Sequence, residues 1–438
     1  MTTRREFLKT SAAAGAMATV PYYTSTRRAF GNDSANDRPV IGCIGLGGMG
    51  RGDMGGHRRF GDVVALCDVD TRQIAEAKKN NDGKGDEYTD YRQVLDRDDI
   101  DVISCVTTDH WHTKICIEAL EAGKHVFCQK PLTLTLEENQ LIRNACNKHK
   151  DKVFFIGTQQ RSDRGRFLRA VNMVQKGLLG DIKSITIGIN GGSVGGPFPK
   201  EDPPAELNWD RWLGQAPKVE YIAQRCHGNY RWWYDFSGGK FTYWGAHNID
   251  IALWALDRKG VGTGLVSFDV TDAKHPVPFK DGWPTVDDCY NTANDYAIKC
   301  KFADGVEMIV DSRSENGLLI EGAKGRIFVS RGRITGTPIE QNWDEGKFGE
   351  EDLQALYKGK PCEGHKDNFY RCIAEGGLPV SDVYTHLQTM NACHLCTIAA
   401  RLGREIRWDP KAEQIVGDAQ AAAFFARQPR AGYEIPRV

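Results

Sequence analysis

The feature that most constrains the fold is a short apolar segment followed at once by a glycine-rich turn. Val40–Ile44 is the apolar segment, and Gly45-Leu46-Gly47-Gly48-Met49-Gly50 follows it directly. A second apolar segment, Val63–Cys67, leads into Asp68, about twenty residues beyond the first glycines. A strand, a G-x-G-x-x-G turn, a helix, a second strand and an acid in this order are typical of a dinucleotide-binding βαβ unit.

The residues of the turn have distinct expected roles. Gly45 permits the tight turn, Gly47 lets the backbone approach the pyrophosphate, and Gly50 lets the helix pack on the strand. Met49 lies inside the motif, and we include it among the cofactor-binding residues. The helix that begins here would direct its N-terminus at the phosphates.

The acid after the second strand bears on which dinucleotide binds. Asp68 is expected to accept hydrogen bonds from the adenosine ribose. Because a carboxylate repels a 2′-phosphate, this residue favours NAD over NADP. Arg72 lies nearby in the sequence and keeps NADP as an alternative.

Strands and helices continue to alternate, which predicts an α/β fold with a doubly wound parallel sheet, a Rossmann domain, over residues 39–158. Ligands bind beyond the carboxyl ends of such strands, so we expect Thr107, His112 and Gln129 to contact the cofactor. Lys130 follows a strand at the same edge. Partly desolvated against a nicotinamide ring, its amine would have a lowered pKa suited to proton transfer; the alternative is a solvated strand-end lysine.

The remainder of the chain indicates a second domain. A chain of 438 residues exceeds what one hydrophobic core usually supports. Between Val266 and Ile334 several strand-like segments succeed one another without helices, which predicts an α+β domain with a largely antiparallel open sheet over residues 159–405. Residues 406–438 are interpreted as a C-terminal arm. A broad apolar sheet face often pairs subunits, so we expect a homodimer or homotetramer.

The N-terminus has the pattern of an export signal. Thr3-Arg4-Arg5-Glu6-Phe7-Leu8-Lys9 precedes a weakly apolar stretch, Ser11–Val20, that is too short to span a bilayer. Paired arginines before such a stretch are typical of twin-arginine signals. We therefore assign residues 1–38 to a signal and linker, and expect export by the twin-arginine translocation machinery to a periplasmic or extracytoplasmic location.

Net charge and cysteine content indicate which classes of ligand the protein can bind. The net charge is -1 and basic residues are scattered, which gives no case for nucleic acid and favours a small neutral or mildly charged ligand. The thirteen cysteines are an odd number, and Cys43, Cys67, Cys105 and Cys128 lie in apolar segments, which predicts buried thiols. Cys393-His394-Leu395-Cys396 has metal-like spacing without a second pair nearby, so we expect no metal.

A polar and aromatic stripe occurs in the stretch SGGKFTYWGAHNIDIALWAL, Ser237 to Leu256. Helical spacing places four of its residues within about 60° of one another, namely Tyr243, His247, Asp250 and Trp254. A metal site would need more ligands, and a solvated helix face would not explain the aromatic rings. We favour a substrate wall, with rings to stack on a sugar and polar groups for its hydroxyls, enlarged by Trp232 and Tyr234.

Taken together, these motifs resemble the glucose-fructose oxidoreductase, inositol dehydrogenase and MocA (Gfo/Idh/MocA) family. The resemblance rests on the glycine-rich turn, on Gln129-Lys130-Pro131, and on Gly238-Gly239 followed by His247 and Asp250. It covers nearly the whole chain after the export signal, and the C-terminal part resembles a secreted branch of the family. It implies that Lys130 contacts the nicotinamide ribose and the reacting hydroxyl, and that His247 is the general acid/base.

The chain departs from the family pattern at two positions. Gln129 replaces the usual glutamate, which removes a carboxylate beside Lys130. Tyr243 occupies the position where many members carry an aspartate, one helical turn before His247. A phenol can donate a hydrogen bond where an aspartate would orient or charge the imidazole. Either Tyr243 handles a substrate proton, or the site has lost ordinary dehydrogenase chemistry.

The favoured function is that of an exported NAD-dependent oxidoreductase. It would transfer hydride between a secondary hydroxyl of a sugar or polyol and a tightly held nicotinamide cofactor, with Lys130, His247 and Tyr243 as catalytic residues. The expected substrate contacts are Arg161, Trp232, Tyr234, Tyr243 and Asp250. A redox-neutral NAD-dependent glycosidase and a non-catalytic dinucleotide- or sugar-binding protein are the alternatives.

Overall fold

The computed structural model describes residues 38–258 and 262–438, and the predicted export signal lies outside them. The first sheet has six strands, all parallel, in the order β3-β2-β1-β4-β5-β6. Its strands are β1 (Val40–Ile44), β2 (Asp62–Cys67), β3 (Asp86–Tyr88), β4 (Val102–Cys105), β5 (His125–Cys128) and β6 (Phe154–Ile156). The predicted doubly wound parallel sheet is thus confirmed.

The helices that connect these strands position the crevice of the sheet. They are α1 (Gly48–His57), α2 (Thr71–Asn80), α3 (Tyr91–Leu95), α4 (Asp109–Glu121) and α5 (Leu136–Lys148). The strand order reverses between β1 and β4, and ligands bind beyond the carboxyl ends of the strands at such a point. Helix α4 begins at Asp109, so the loop between β4 and α4 is short and His112 belongs to the helix.

Two glycines make the turn after β1 possible. Gly45 has a φ of 85°, and a Cβ on it would lie 2.5 Å from the Val106 carbonyl oxygen. A Cβ on Gly50 would lie only 2.0 Å from the Gly45 oxygen, so helix α1 can pack against the turn only because residue 50 lacks a side chain. Gly47 and Gly48 have open space where a side chain would be. The N-terminus of α1 is therefore accessible to a ligand.

The second sheet has nine strands, in the order β15-β14-β13-β7-β12-β11-β8-β16-β17, with β9 and β10 as a separate hairpin. All pairs in the large sheet are antiparallel except β7 with β12. The strands are β7 (Ile182–Gly188), β8 (Leu265–Lys274), β9 (Phe279–Lys280), β10 (Trp283–Pro284), β11 (Asp295–Phe302), β12 (Glu307–Asp311), β13 (Gly317–Gly322), β14 (Arg326–Val329), β15 (Ile334–Thr335), β16 (Ile406–Asp409) and β17 (Gln414–Ile415). The predicted α+β domain is confirmed.

Helices cover one face of this sheet and join it to the first domain. They are α6 (Arg169–Gln175), α7 (Trp209–Leu213), α8 (Lys240–Tyr243), α9 (Gly245–Ala255), α10 (Thr337–Glu340), α11 (Glu350–Leu356), α12 (His365–Glu375), α13 (Val383–Leu402) and α14 (Ala419–Ala422). Shorter helical turns span Gln159–Ser162, Arg164–Leu168, Ala223–Arg225 and His227–Trp232. None of the helices in the described residues combines the length and the apolar character needed to cross a membrane.

The longest helix, α13, connects the two domains through buried polar contacts. Its Asn391 accepts a hydrogen bond from Asn139 of α5 at 2.7 Å, and its His394 lies 2.9 Å from the Thr133 hydroxyl. These residues are buried, so the hydrogen bonds are shielded from water and leave few unsatisfied groups at the junction. The two domains are thereby held in a defined relative position, which the site between them requires.

The C-terminal segment is more than an arm. Ile406–Asp409, at its beginning, forms β16 and extends the large sheet by pairing with β8. Its end returns to the first domain, where the Lys114 ammonium donates to the Glu434 carbonyl at 2.6 Å. The Arg430 guanidinium donates at 2.6 Å to the carbonyl of Gly214, the residue that follows α7. Residues 406–438 thus contribute a strand to the large sheet as well as contacts with the first domain.

All thirteen cysteines are free thiols, and twelve of them are buried. Cys43, Cys67, Cys105 and Cys128 belong to the core beneath the first sheet, as their apolar neighbours predicted. Burial raises the pKa of the Cys43 thiol to about 12, which keeps it protonated and unreactive. These cysteines act as small apolar residues.

The turn geometry yields a test with a matched control on the same helix. Gly50→Ala places a methyl group against the Gly45 oxygen and is expected to lower the free energy of unfolding by about 2–4 kcal/mol. Gly52→Ala meets no atom within 4 Å and should be neutral or raise stability by about 0.5–1 kcal/mol, because alanine favours helix. Urea denaturation measures both. Equal effects of the two substitutions would contradict this account of the turn.

Candidate active site

A large cavity of about 550 Å³ lies beyond the carboxyl ends of β1 and β4. Most of the predicted cofactor-binding residues line it: Gly45, Gly47, Met49, Gly50, Asp68, Thr107, Gln129 and Lys130. The glycine-rich turn and the N-terminus of α1 form its floor. An elongated cleft over a helix N-terminus suits the phosphates of a dinucleotide.

Asp68 lies at one end of this cavity, held by the backbone of the glycine-rich turn. Its carboxylate accepts hydrogen bonds from the Leu46 amide at 2.7 Å and from the Asp70 amide at 3.0 Å. Burial raises the pKa of Asp68, and the two amide donors oppose that rise. A carboxylate oxygen has more than one lone pair, so both oxygens retain capacity for ribose hydroxyls.

The neighbouring arginine is not free to bind a 2′-phosphate. Arg72 forms a bidentate ion pair with Asp70, with its Nε 2.9 Å from Oδ1 and its Nη2 2.7 Å from Oδ2. The guanidinium N–H groups that would bind a phosphate are thus already bound to a carboxylate. This arrangement supports the preference for NAD that Asp68 indicated.

His112 does not line the cavity, contrary to its predicted role in cofactor contact. It is buried, with Nδ1 2.7 Å from the Pro131 carbonyl and Nε2 3.1 Å from the Thr107 carbonyl. Its position follows from the early start of α4, which turns the ring inward under the two loops. It lies between the backbones of two loops that line the cavity, so any influence on the cofactor is indirect.

A smaller cavity of about 390 Å³ adjoins the first on the side of the second domain. Its lining comprises Met49, Lys130, Gln159, Gln160, Asp163, Arg166, Phe167, Tyr243, Trp244, His247 and Arg331. Three residues line both cavities: Met49, Lys130 and Tyr243. The two spaces therefore meet at the amine of Lys130 and the ring of Tyr243.

Lys130 carries an amine suited to proton exchange near neutral pH. Burial lowers its pKa to about 7; Asp109 opposes this shift, and the charges of Arg231 and Arg331 add to it. The ammonium lies 3.7 Å from the centre of the Tyr243 ring and 3.4 Å from the Tyr243 carbonyl oxygen. The Arg231 guanidinium contacts the same ring at 4.2 Å. The predicted desolvated lysine has the geometry that its lowered pKa requires.

His247 contributes a neutral imidazole to the smaller cavity. Its side chain is buried, and no described residue forms a hydrogen bond with its Nδ1. Burial, followed by the charges of Lys130 and Arg331, holds the pKa of His247 well below its usual value. A neutral imidazole at neutral pH can accept a proton.

The amide of Gln129, at a position where the family pattern has a carboxylate, is required by the neighbouring carboxylate of Asp53. Its amide nitrogen donates to Asp53 Oδ2 at 2.6 Å, and Lys366 donates to the other Asp53 oxygen. A glutamate at position 129 would bring its carboxylate against that of Asp53, whereas the amide supplies a donor. The Gln129 oxygen accepts from the backbone amide of Lys130 at 3.3 Å, which helps to fix the lysine loop.

The helix predicted over the polar stripe is interrupted. Helix α8 ends at Tyr243 and α9 begins at Gly245, with Trp244 between them at φ -101° and ψ -30°. Tyr243 and His247 still reach the same cavity, as predicted, but Asp250 does not line it. The four residues therefore do not form one wall.

Asp250 and Arg161 form a buried ion pair and were wrongly predicted to contact substrate. The guanidinium Nε lies 2.6 Å from Oδ2 and Nη2 lies 2.9 Å from Oδ1, with both side chains at most 3 % exposed. Burial alone would raise the pKa of Asp250, but Arg161 holds it well below its usual range. Trp254 stacks on the guanidinium at 4.8 Å. Neither charged residue lines either cavity.

Trp232 and Tyr234 likewise lie outside both cavities. The buried Tyr234 hydroxyl accepts from the Ala293 amide at 3.1 Å and lies 3.1 Å from His275. Trp232 is half-buried and contacts the Lys240 ammonium at 5.6 Å. Trp232 packs against a separate apolar cluster around Trp233 and Phe236, and Tyr234 is engaged by the Ala293 amide and His275, so neither reaches the cavities.

Sequence reasoning missed several residues that line the smaller cavity, among them Gln160, Arg166, Trp244 and Arg331. Trp244 lies inside the stretch Ser237 to Leu256, but it is not one of the four residues that helical spacing grouped together. Gln160 and Arg166 follow the last strand of the first sheet, a position that could have suggested a role at the domain junction. Arg331 comes from a turn in the second sheet, and the sequence carried no signal for it.

One group of described residues has the composition of a metal site. Potential ligand atoms of Cys105, His112 and Cys128 all lie within 4.8 Å of one another. Both nitrogens of His112 already face backbone carbonyl oxygens at hydrogen-bonding distance. Cys393 and Cys396 lie in the buried core of α13, where Cys396 Sγ is 3.8 Å from that of Cys300.

Sequence models of one oxidoreductase family match both domains. The model described as "Oxidoreductase family, NAD-binding Rossmann fold" matches residues 40–157, and that of the family's C-terminal alpha/beta domain matches residues 172–336. The model of the twin-arginine translocation signal matches residues 1–21, which lie outside the described part of the chain. Together the two domain models cover more than half of the chain.

Curated relatives match over less than half of their own length. A glycosyl hydrolase family 109 protein of Shewanella sp. strain ANA-3 is 31% identical over 205 residues, 41% of this chain and 44% of the relative. An inositol 2-dehydrogenase of Salmonella paratyphi B is 28% identical over 145 residues, 32% of this chain and 42% of the relative.

Solved structures show the same fold at low identity. The WlbA dehydrogenase of Bordetella pertussis, crystallised with NADH and UDP-GlcNAcA, has a TM-score of 0.58 at 18% identity. The match covers 84% of this chain and 98% of that protein. The arrangement of a Rossmann domain followed by an open-sheet domain is therefore shared with that structure.

The buried ion pair provides a test of its structural role. Asp250→Leu leaves the Arg161 charge buried without its partner and should lower the free energy of unfolding by about 3–5 kcal/mol. The double substitution Arg161→Met/Asp250→Leu should recover most of that loss, because no unpaired charge remains. Urea denaturation measures both effects.

The exposed pair of Arg333 and Glu315 serves as the control for this test. Glu315→Gln should change the free energy of unfolding by at most about 1 kcal/mol. If Asp250→Leu is equally mild, the pair does not have the structural role assigned to it.

Proposed function

Because the chain belongs to the Gfo/Idh/MocA oxidoreductase family, we propose that it transfers hydride between a secondary hydroxyl of a sugar or polyol and a tightly held NAD. The observation that carries this proposal is the wall of Lys130 and Tyr243 common to both cavities. A dinucleotide in the larger cavity and a sugar in the smaller one would meet there. Hydride transfer needs this direct contact between the two molecules.

The larger cavity fits NAD by its own geometry. The Gly45 turn and the open space at Gly47 and Gly48 admit a pyrophosphate to the N-terminus of α1. Asp68 offers carboxylate oxygens for the adenosine ribose, and Lys130 and Tyr243 flank the opposite end. When bound, the nicotinamide supplies the hydride acceptor, which the protein itself lacks.

Proton transfer falls to residues of this chain. His247 is neutral near pH 7 and can accept the proton of the substrate hydroxyl. Lys130, with a pKa of about 7, can donate a hydrogen bond to the same oxygen or take its proton. Tyr243 contacts the Lys130 ammonium through its ring and can donate its hydroxyl to the substrate.

Substrate contacts are proposed from the residues around His247. Trp244 gives an aromatic surface at the cavity, and Gln160 has a buried amide with one oxygen that no described residue bonds. Aromatic rings stack on sugar rings, and amides bind their hydroxyls. These residues take the place of Asp250, Trp232 and Tyr234 in the original expectation.

The twin-arginine signal implies export, and we propose a periplasmic destination. Twin-arginine substrates cross the membrane folded, so the cofactor would be loaded before export. It could not easily be exchanged outside the cell, which favours tightly held NAD that oxidation and reduction regenerate in pairs. NADP remains the less favoured alternative because Arg72 is bound to Asp70.

We also propose a homo-oligomer, a dimer or tetramer, built on the open face of the second sheet. The face opposite the helices carries the half-buried Ile309, Leu319 and Phe328. Apolar side chains on a sheet face that no described helix covers are typical of subunit contacts.

A redox-neutral glycosidase is the second candidate, because curated relatives bear the name of glycosyl hydrolase family 109. Such a reaction would oxidise the sugar transiently, eliminate the glycosidic substituent, add water and return the hydride, with no net change in NAD. The same Lys130 and His247 could serve it. Cofactor reduction by a free sugar distinguishes the two candidates.

The function is tested with purified full-length protein and its copurified nucleotide. A panel of aldoses and polyols should change the nicotinamide absorbance, and His247→Asn should lower that rate by about 10²–10⁴-fold. Tyr243→Phe retains the ring contact with Lys130 and should lower the same rate by less than about tenfold. Release of aryl groups from glycosides without net NADH would favour the glycosidase. Absence of any bound dinucleotide would refute both.

The lowered pKa of Lys130 predicts a pH dependence. If neutral Lys130 accepts the substrate proton, the rate of hydroxyl oxidation should rise with pH through about 7, where the amine loses its proton. Lys130→Arg keeps a charge that is never lost, so it should be slow at every pH and show no such rise. Stopped-flow measurements of NADH formation give the profile.

Lys124 provides the control for that profile. Burial also lowers its pKa, but it lies outside both cavities. Lys124→Gln should retain the rise in rate with pH. If the parent rate were independent of pH between about 6 and 8, Lys130 would not be the titrating group.

A further inference from the structure

The smaller cavity has an excess of positive charge. Among the described residues that line it, Lys130, Arg166 and Arg331 are cationic and Asp163 is the one carboxylate. Asp163 is bound to Arg166, whose Nε lies 2.8 Å from its Oδ2. Arg331 is therefore left without a carboxylate of the cavity to balance its charge, and Lys130 adds a second positive charge whenever its amine is protonated.

Arg331 is held in place by its backbone while its guanidinium stays available. It lies in the turn between β14 and β15, where the Ser330 hydroxyl accepts from the Arg333 amide at 3.2 Å. Arg166 donates to the Arg331 carbonyl oxygen and fastens the turn to the cavity. The Arg331 guanidinium stacks on the Trp244 ring at 4.7 Å, so its flat face is fixed and its N–H edge can bind a ligand.

The neighbouring Arg333, in the same turn, forms an ion pair and serves as a comparison for Arg331. Its Nη2 lies 2.6 Å from a Glu315 oxygen. Within the described part of the chain, no acidic side chain forms such an ion pair with Arg331. Arg331 still acts on the catalytic groups, because its charge helps to lower the pKa values of both Lys130 and His247.

The cofactor does not account for Arg331. The larger cavity, which fits the dinucleotide, has Arg51 and Arg231 in its lining, whereas Arg331 lines only the smaller one. A neutral sugar would leave the guanidinium edge to water. A ligand group with two negative oxygens would match its planar fork and offset the excess charge.

We propose that the substrate is an anionic sugar, a carbohydrate whose carboxylate or sulfate is bound by Arg331 while its reacting hydroxyl faces Lys130 and His247. This inference rests on the proposed function, because it takes the smaller cavity as the sugar site. It makes Arg331 a specificity-determining residue. The stacking on Trp244 would place the anionic group beside the aromatic surface that receives the ring.

Binding of matched sugars to the NAD-loaded protein tests this inference. Calorimetry compares each neutral hexose with its hexuronate and its 6-sulfate, in the gluco, galacto and manno series. The anionic member of at least one series should bind about tenfold or more tightly than its neutral parent. That preference should weaken as salt is raised, because Arg331 is exposed at the rim and its charge is screened there.

Variants of the same turn provide the matched control. Arg331→Gln should reduce the preference for the anionic sugar to less than about threefold, and Arg333→Gln should leave it unchanged. Preference for the uronate assigns a carboxylate, and preference for the sulfate assigns a sulfate ester; either supports the inference. Equal or tighter binding of the neutral hexose, a preference that survives Arg331→Gln, or no binding of any anionic member overturns it.

A separate readout distinguishes this inference from the proposed function. NADH formation is followed with the same sugars. Selective binding of an anionic sugar without cofactor reduction would keep the role of Arg331 and refute the oxidoreductase. Reduction of NAD by neutral sugars, at a rate that Arg331→Gln does not change, would support the oxidoreductase and refute the role of Arg331.

Discussion

The active site depends on the contact between the Lys130 ammonium and the Tyr243 ring, in which the nitrogen lies 3.7 Å from the ring centre. Lys130 follows a strand of the first domain, and Tyr243 ends a short helix of the second. Their contact borders both cavities and removes the amine from bulk water. Its lowered pKa follows from that burial. A looser junction would hydrate the amine and restore its usual charge.

The site follows the family pattern except in its charge, because it has fewer carboxylates. Tyr243 and Gln129 each stand where the family usually has a carboxylate, and both changes remove negative charge near Lys130. The lost charge is not replaced inside the smaller cavity, where Asp163 is bound to Arg166. Burial lowers the pKa values of Lys130 and His247, and the missing carboxylates leave that shift less opposed, so both groups are held towards their neutral forms at neutral pH. That state suits a base that accepts a proton from a hydroxyl, and it leaves room for a negative charge on the ligand.

The parts predictable from sequence were those set by local geometry. The glycine-rich turn, the acid after β2 and the strand-end lysine each depend on a few adjacent residues, and all line the cavity. Asp250 was misplaced because its partner Arg161 lies 89 residues away, and no helical spacing reveals such a pair. Arg331 reaches the site only through the register of the second sheet, so no pattern in the sequence could have indicated it.

The most direct test of the central claim is a crystal structure of the protein with NAD bound. The account predicts the adenosine ribose at Asp68, the pyrophosphate at the N-terminus of α1, and the nicotinamide ring against Lys130 and Tyr243 with its reactive face open to the smaller cavity. A nicotinamide directed away from His247, or a dinucleotide bound outside the larger cavity, would contradict it.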